Sequence, residues 1–264
     1  MHDRRLRNRS SAAIFLCYHS VAHEGPRFLT VSEDLFERQL ATFRDCGLRA
    51  GDLSALASVT AGSRIEPTVF LTFDDGFRDN YETVLPLLRE QRLRAFVFVL
   101  PPLVDAGASF SWPEVAADSA RYPSSMRSVT WQMLEEMRED AFEVGSHTLT
   151  HPHLPQLDGE QLRHELWESR ARIKEKLGSC YTLAYPFGHW TPDVASAAAA
   201  CGYRFAFTLP TTNGQFSATP LSIPRINVDY RDDGRRLASK LSSTGRRAQL
   251  SNAVRAVRRL VRRG

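Results

Sequence analysis

Thr72-Phe73-Asp74-Asp75-Gly76 follows directly on the apolar run Pro67-Thr68-Val69-Phe70-Leu71. A continuous run of this kind, rich in β-branched and aromatic residues, reads as a strand buried on both faces, as in parallel sheets. Two adjacent carboxylates at its end are costly, because buried charges repel and lose hydration. A metal ion is the first candidate to offset that cost, and Gly76 lets the chain turn sharply after the pair. Taken alone, the stretch also has a plainer reading, in which Asp75 or Asp79 caps a helix beginning near Asn80.

Outward from this stretch, strand and helix patterns alternate. Ala12-Ala13-Ile14-Phe15-Leu16-Cys17 reads as a first strand; as a secretory signal its apolar part is short and no small-residue cleavage site follows. Tyr18-His19-Ser20-Val21 comes next. Ser32 then caps a predicted helix over 33–46, with Leu35, Phe36, Leu40 and Phe43 on one stripe and Gly47 as its stop. After the central strand, a helix is expected over 80–91, kinked or started late by Pro86. Residues 94–100 read as another buried strand, and 101–128 as an irregular surface excursion rich in Pro, Ser and Gly. A helix over 130–139 and a short strand over 141–145 lead into Ser146-His147. A long helix over 158–177 ends at Gly178, followed by strands near 182–186, 204–208 and 221–228 and a short helix near 192–200. This alternation implies parallel pairing with helices outside, in a barrel or an open doubly wound sheet. No repeat or linker interrupts the chain before residue 230. One domain over 12–230 is therefore expected, between a basic arm at 1–11 and a basic tail at 231–264.

Composition suits a soluble globular chain: of 264 residues 42% are hydrophobic and 24% charged. The net charge of +4 is concentrated at the ends, with Arg4, Arg5, Arg7 and Arg9 against Asp3 at the start. Cys17, Cys46, Cys180 and Cys201 form no CxxC pair, which fits a reduced, cytoplasmic chain. No segment approaches the ~20 apolar residues of a membrane span. In the tail, Leu250, Val254, Val257, Leu260 and Val261 recur at helical spacing among arginines. Such a basic amphipathic helix can rest on an anionic membrane at its cytoplasmic face, a solvated helix being the alternative. Nucleic acid is not expected as a partner, since neither interleaved aromatics nor a known binding module is present.

Ser146-His147-Thr148-Leu149-Thr150-His151-Pro152-His153 is the second stretch that carries chemistry. Two imidazoles four residues apart can meet one ion from a helical turn or a compact loop. Pro152 and the preceding strand favour a loop at a strand's C-terminal end, where α/β proteins place their sites. By itself the pattern also fits a solvated histidine cluster. Joined to the carboxylate pair, it makes a His, His, Asp set with open positions, suited to a catalytic divalent ion that also binds water.

Leu71 to Phe77, taken with Ser146 to His151, resembles the NodB-homology polysaccharide deacetylases, carbohydrate esterase family four. The resemblance covers most of residues 13–229. It implies a distorted (β/α)7 barrel and a metal-dependent hydrolase that frees acetate from an N-acetylated amino sugar. By this likeness Asp75, His147 and His151 hold the metal, zinc first, with cobalt, nickel or iron also suited to the set. Asp74 is then the general base and His153 a neighbour. Tyr185-Pro186-Phe187-Gly188 resembles the tail of the family's third motif, which implies that Phe187 offers a backbone N–H to the oxyanion.

Two departures from the family pattern matter. The third motif usually begins with an arginine, where this chain has Thr182-Leu183-Ala184, and the late Leu-x-His motif is missing after residue 189. In this the chain is similar to the permuted poly-N-acetylglucosamine deacetylase-like subgroup, which carries Tyr-His-Ser/Thr on its first strand. That likeness implies His19 as general acid. Ile223-Pro224-Arg225-Ile226-Asn227-Val228 resembles the subgroup's last strand and makes Arg225 a partner for Asp74. The plainer readings are a satisfied core histidine and a surface ion pair. Trp112, Trp131 and Trp190 are candidates for a sugar platform. Trp190 and Tyr185, close to Phe187, are the expected substrate contacts, with Trp131 packing its own helix. An acetylated carbohydrate is the expected substrate. A carbohydrate O-acetyl esterase, or an inactive sugar-binding scaffold in a glycan-assembly complex, are the alternatives.

Overall fold

The structure is a computed structural model describing residues 13–209, 219–234 and 236–237. The basic arm and the apolar-stripe part of the tail lie outside the described residues.

In chain order the elements are β1 (Ala13–Tyr18), β2 (Ser20–Val21), β3 (Thr30–Val31), α1 (Glu33–Asp45), β4 (Arg49–Ala50) and α2 (Leu53–Thr60). Next come β5 (Thr68–Phe73), a π-helical turn (Asn80–Val84), α3 (Leu85–Gln91), β6 (Ala95–Val99), α4 (Pro101–Ala106), α5 (Ala116–Arg121), α6 (Trp131–Asp140) and β7 (Phe142–Ser146). The chain continues through α7 (Gly159–Leu177), β8 (Thr182–Ala184), a 3-10 turn (Pro186–Gly188), α8 (Pro192–Ala200), β9 (Phe205–Thr208), β10 (Ile223–Pro224) and β11 (Ile226–Asn227).

The main sheet runs β10-β9-β8-β7-β6-β5-β1-β11, and its pairings are parallel. β10 and β11 are two halves of one segment bent at Arg225. The first half pairs with β9 through Ile223 and Phe207, the second with β1 through Leu16 and Ile226. That bend joins the two edges, so the sheet closes into a distorted barrel of the expected (β/α)7 kind, with the helices around it. β4 pairs with β5 at Thr68 and Val69, below the point where β6 joins β5 at Leu71.

Strand periodicity divides the core into two layers. Val69, Leu71 and Phe73 of β5 face outward and pack under the helices with Ile14, Leu16 and Tyr18 of β1. The intervening residues face the barrel axis, where Phe70, Phe96, Phe98, Phe205 and Phe207 fill the interior, with Leu56 of α2 closing it from below. Phe15 stacks on Phe70 with ring centroids 4.6 Å apart. The lower barrel is thus a plug of packed rings, and the inward side chains Thr72, Asp74 and Arg225 meet above it.

Local departures from the sequence expectations have plain causes. The span 80–91 begins as a π-turn and becomes α-helix only at Leu85, with Pro86 in the first turn, where its missing N–H costs nothing. The excursion over 101–128 is not irregular throughout, because it contains the short helices α4 and α5. The expected strand over 221–228 is interrupted at Arg225.

Candidate active site

Inward parity carries the site. On β5, Phe70 and Thr72 face the axis and Asp74 continues the series; on β1, Phe15 and Cys17 lead to His19 in the same way. On the last segment Ile223 faces inward and Arg225 follows it. These side chains meet above the phenylalanine plug. Arg225 is fully buried, and its guanidinium carbon lies 5.7 Å from the ring centres of both Phe98 and Phe207.

Asp74 and Arg225 form a two-pronged pair: Nη1 donates to Oδ1 and Nη2 to Oδ2, each at 2.7 Å. Nη1 also donates to Thr72 Oγ1 at 2.8 Å, and the Asp74 backbone N–H donates to Tyr18 O. The Cys17 thiol points at Asp74 Oδ2 from 3.4 Å. Burial pushes that thiol's pKa up, so it stays protonated and donates. Burial would by itself raise the Asp74 pKa. The Arg225 charge and hydrogen bonds, with His147 nearby, overcome this and hold the carboxylate well below the usual range.

Asp75 takes a different course. Its φ of 68° and that of Gly76, also 68°, turn the chain away from the strand direction. A β-carbon at Gly76 would sit 2.7 Å from Val99 Cγ1, so the turn needs glycine both for its backbone and for its space. The turn aims Asp75 Oδ1 at His147 Nε2, 3.3 Å away, and at His151 Nε2, 3.6 Å away. The 3.3 Å contact with His147 is a long hydrogen bond, and no closer partner reaches this buried oxygen among the described residues. His147 sits one residue past β7, its Nδ1 2.8 Å from Ala184 O. His151 also has positive φ, 63°, and its backbone N–H donates to Thr148 Oγ1.

The loop carrying both histidines is held by Glu165 of α7, which accepts from the Leu149 and Thr150 N–H groups and the Thr150 hydroxyl. His19 is half-buried, and its carbonyl accepts from Asn80 Nδ2. Asp79 accepts from the Ser20 hydroxyl and Val21 N–H, anchoring the residues after His19 from below.

Among the described residues two groups of three side chains bring ligand atoms within 4.8 Å of one another: Asp75, His147, His151 and Cys17, His19, Asp74. Only the first fits a cation. In the second, Arg225 already occupies both Asp74 oxygens, and its fixed positive charge opposes an ion beside it. In the first, one carboxylate and two imidazoles, all buried, converge with no arginine or lysine paired to them among the described residues, the donor set of a catalytic zinc-type centre. Burial raises the Asp75 pKa, but the hydrogen bond and charge of His147, then the charge of His151, bring it below its ordinary value. Burial and the charge of His147 lower the His151 pKa to about 3, leaving a neutral ring ready to ligate. Burial opposes charge on His147, but the Asp74 charge and the hydrogen bond and charge of Asp75 raise its pKa above 6.5.

The remaining expected residues divide. Phe187 has φ 58° in a 3-10 turn whose hydrogen bonds run from Gly188 N–H to Tyr185 O and from His189 N–H to Pro186 O. Its ring meets His151 edge-on at 4.6 Å and stacks on His153 at 4.1 Å. Trp190 is half-buried and packs against the outer core layer. Tyr185 is a correction: it is fully buried in that outer layer and its hydroxyl donates to Leu221 O. Thr182 and Ala184 take the inward positions of β8, so residue 185 points away from the mouth and contacts no substrate there.

Cys17, Thr72, Asp79, Asn80 and Glu165 were not singled out for the site from sequence. The signal for the first two was strand parity with Phe15 and Phe70. The other three act through contacts that no local pattern encodes.

Comparison with known proteins adds a further finding. A family model described as polysaccharide deacetylase matches residues 61–206. The chain is 25% identical over 196 residues to YxkH of Bacillus subtilis (strain 168), covering 73% of this chain and 63% of that protein. It is also 25% identical over 254 residues to the poly-beta-1,6-N-acetyl-D-glucosamine N-deacetylase of Escherichia coli (strain K12), covering 81% of this chain and 36% of that one. The chain thus spans less than two thirds of either curated relative. The fold is shared with the Streptococcus pyogenes deacetylase PplD (TM-score 0.71, 22% identity, 86% of this chain and 97% of that chain). IcaB from Ammonifex degensii shares it too (TM-score 0.69, 24% identity, 87% and 97%).

Proposed function

The chain belongs to the polysaccharide deacetylase family, and we propose that it is a metal-dependent hydrolase removing N-acetyl groups from an amino-sugar-containing glycan or glycoconjugate. One observation carries this reading. Two adjacent carboxylates are handled oppositely, Asp74 gripped by Arg225 and Asp75 turned toward two imidazoles. The E. coli relative's name supports an amino-sugar substrate, as does that of the chitooligosaccharide deacetylase of Sinorhizobium fredii (strain NBRC 101917 / NGR234), 27% identical over 153 residues, covering 57% of this chain and 60% of that one.

In this reading Asp75, His147 and His151 hold a divalent ion, zinc being the first candidate. Such an ion supplies Lewis acidity, lowering the pKa of a bound water and polarising the acetyl carbonyl. The protein does the rest. Asp74 takes the proton of the attacking water, and Arg225 keeps it ionised and fixes its direction. The Phe187 N–H offers a hydrogen bond to the oxygen that gains charge. His19 delivers a proton to the departing amine.

Burial lowers the His19 pKa, with Asp75 and Asp74 raising it in part, so the ring is largely neutral at rest near pH 7. Its proton therefore comes from Asp74. The ligand atoms of the two residues lie within 4.8 Å, so the proton that Asp74 takes from the water is within reach of His19. An amine needs this proton to leave; an alkoxide needs it less. That difference favours the amide reading over the O-acetyl esterase.

The test is acetate release from N-acetylglucosamine oligomers and from acetylated xylan, each with and without chelator. Chelator-sensitive release from the oligomers is expected. No release from either substrate, or release that a chelator leaves unchanged, would contradict the proposal.

A further inference from the structure

Metal-bound histidines are ordinarily steered by a hydrogen bond on the ring nitrogen that does not ligate. His147 has one, from Nδ1 to Ala184 O. His151 does not: its Nδ1 is buried with no hydrogen-bond partner among the described residues. Something else must fix the plane of this ring.

The contacts of His151 show what does. The Trp112 indole lies face to face with the imidazole, ring centroids 4.4 Å apart and planes 21° apart. Phe187 and His147 meet the ring at steep angles, 68° and 66°. Trp112 belongs to the excursion over 101–128, which is bound to the carboxylate turn at its base. Antiparallel bridges join Ser109 to Arg127 and Phe77 to Ser128. The Arg78 N–H donates to Arg127 O and the Val129 N–H to Gly76 O. A ring series then leads outward, Phe77 to Phe110 at 4.5 Å and Phe110 to Trp112 at 5.3 Å. The excursion is thereby tied both to the turn that aims Asp75 and to the ring that faces it.

We propose that Trp112 is the positioning residue of His151, holding by stacking the imidazole that a hydrogen bond would otherwise orient. This rests on the metal reading above. A stack serves a metal-bound imidazole well, because the ring gains positive character on ligation and the indole face attracts it.

The experiment titrates Co2+ into metal-free wild type, Trp112→Leu and Trp112→Phe, reading affinity by competition with a chelating indicator and following indole emission. Trp112→Leu is expected to bind Co2+ about 10-fold or more weakly, the scale on which loss of an orienting partner is felt. Trp112→Phe keeps an aromatic face and is expected to restore most of that affinity. Co2+ is expected to quench wild-type emission more than that of Trp112→Phe, which lacks the indole on the ligand. Wild-type affinity in Trp112→Leu with only KM raised would make Trp112 a sugar platform and overturn the proposal. Should the leucine variant not fold, equal quenching in wild type and Trp112→Phe would overturn it as well. If wild type binds no Co2+, the metal reading fails and this inference with it; if wild type binds and the variants match it, only this inference fails.

Discussion

Asp74 and Asp75 are neighbours on one strand end, yet they occupy opposite electrical settings. Asp74 stays on the inward face of β5 and its carboxylate is well supplied: two bonds from Arg225 and a thiol from Cys17. Asp75 leaves the strand through a left-handed turn and faces two imidazole nitrogens, with no arginine or lysine paired to it among the described residues. A buried carboxylate already satisfied by the protein has no need of an ion; one left facing other lone pairs does. The contrast teaches that the chemistry of the Asp-Asp pair is set by what the last strand and the histidine loop bring to it.

The most forceful way to break the contrast is to strip Asp74 of its cation. Arg225→Leu leaves a buried carboxylate uncompensated and is expected to cost about 3–5 kcal/mol in chemical denaturation. The pH dependence has a definite sign. Because the folded Asp74 pKa is depressed, its contribution to stability is present above the unfolded value near 3.9 and is lost as pH falls below it. Arg225→Leu should lack that acid-side loss, and a pH-stability curve with the wild-type acid limb would count against the pairing.

Next in size is His19→Ala, which is expected to lower kcat on an N-acetyl substrate by roughly 10²–10³-fold and to spare an activated aryl acetate. Full amide activity in this variant would remove the acid role. A third measurement sharpens the Asp75 side. His147 has a raised pKa before any ion binds, and binding must expel its proton. Co2+ affinity should then fall about tenfold per pH unit below that pKa, and a flat profile down to pH 5 would show that His147 is no ligand. The smallest effect is expected from Thr72→Val, which removes the acceptor for Arg225 Nη1 and the donor to Leu16 O. Its cost should be about 1–2 kcal/mol by thermal unfolding, with metal content unchanged.

How much of this was legible in the sequence depends on how local the cause is. The apolar run before Thr72 and the strand-helix alternation announced a parallel α/β core, because period and burial are written in neighbouring residues. The histidine spacing announced the meeting of two imidazoles at one place for the same reason. Tyr185 went astray although its cue was present: with Ala184 inward, residue 185 faces the helices. α4 and α5 escaped notice because six residues each are too few for a 3.6-residue period to show. Arg225 meets Asp74 across 151 residues of chain, and Trp112 meets His151 from an excursion without periodicity. Resemblance pointed to the first of these pairs; only packing revealed the second.

The central claim is that the two carboxylates divide the labour, Asp75 holding the ion and Asp74 moving the proton. It is tested most directly by metal content and acetate release measured together on reconstituted wild type, Asp74→Asn and Asp75→Asn. The account predicts that Asp74→Asn keeps a full complement of metal while losing roughly 10²–10⁴-fold in rate, and that Asp75→Asn loses both. Asp74→Asn emptied of metal to the same degree as Asp75→Asn, or Asp75→Asn retaining it, would contradict the account.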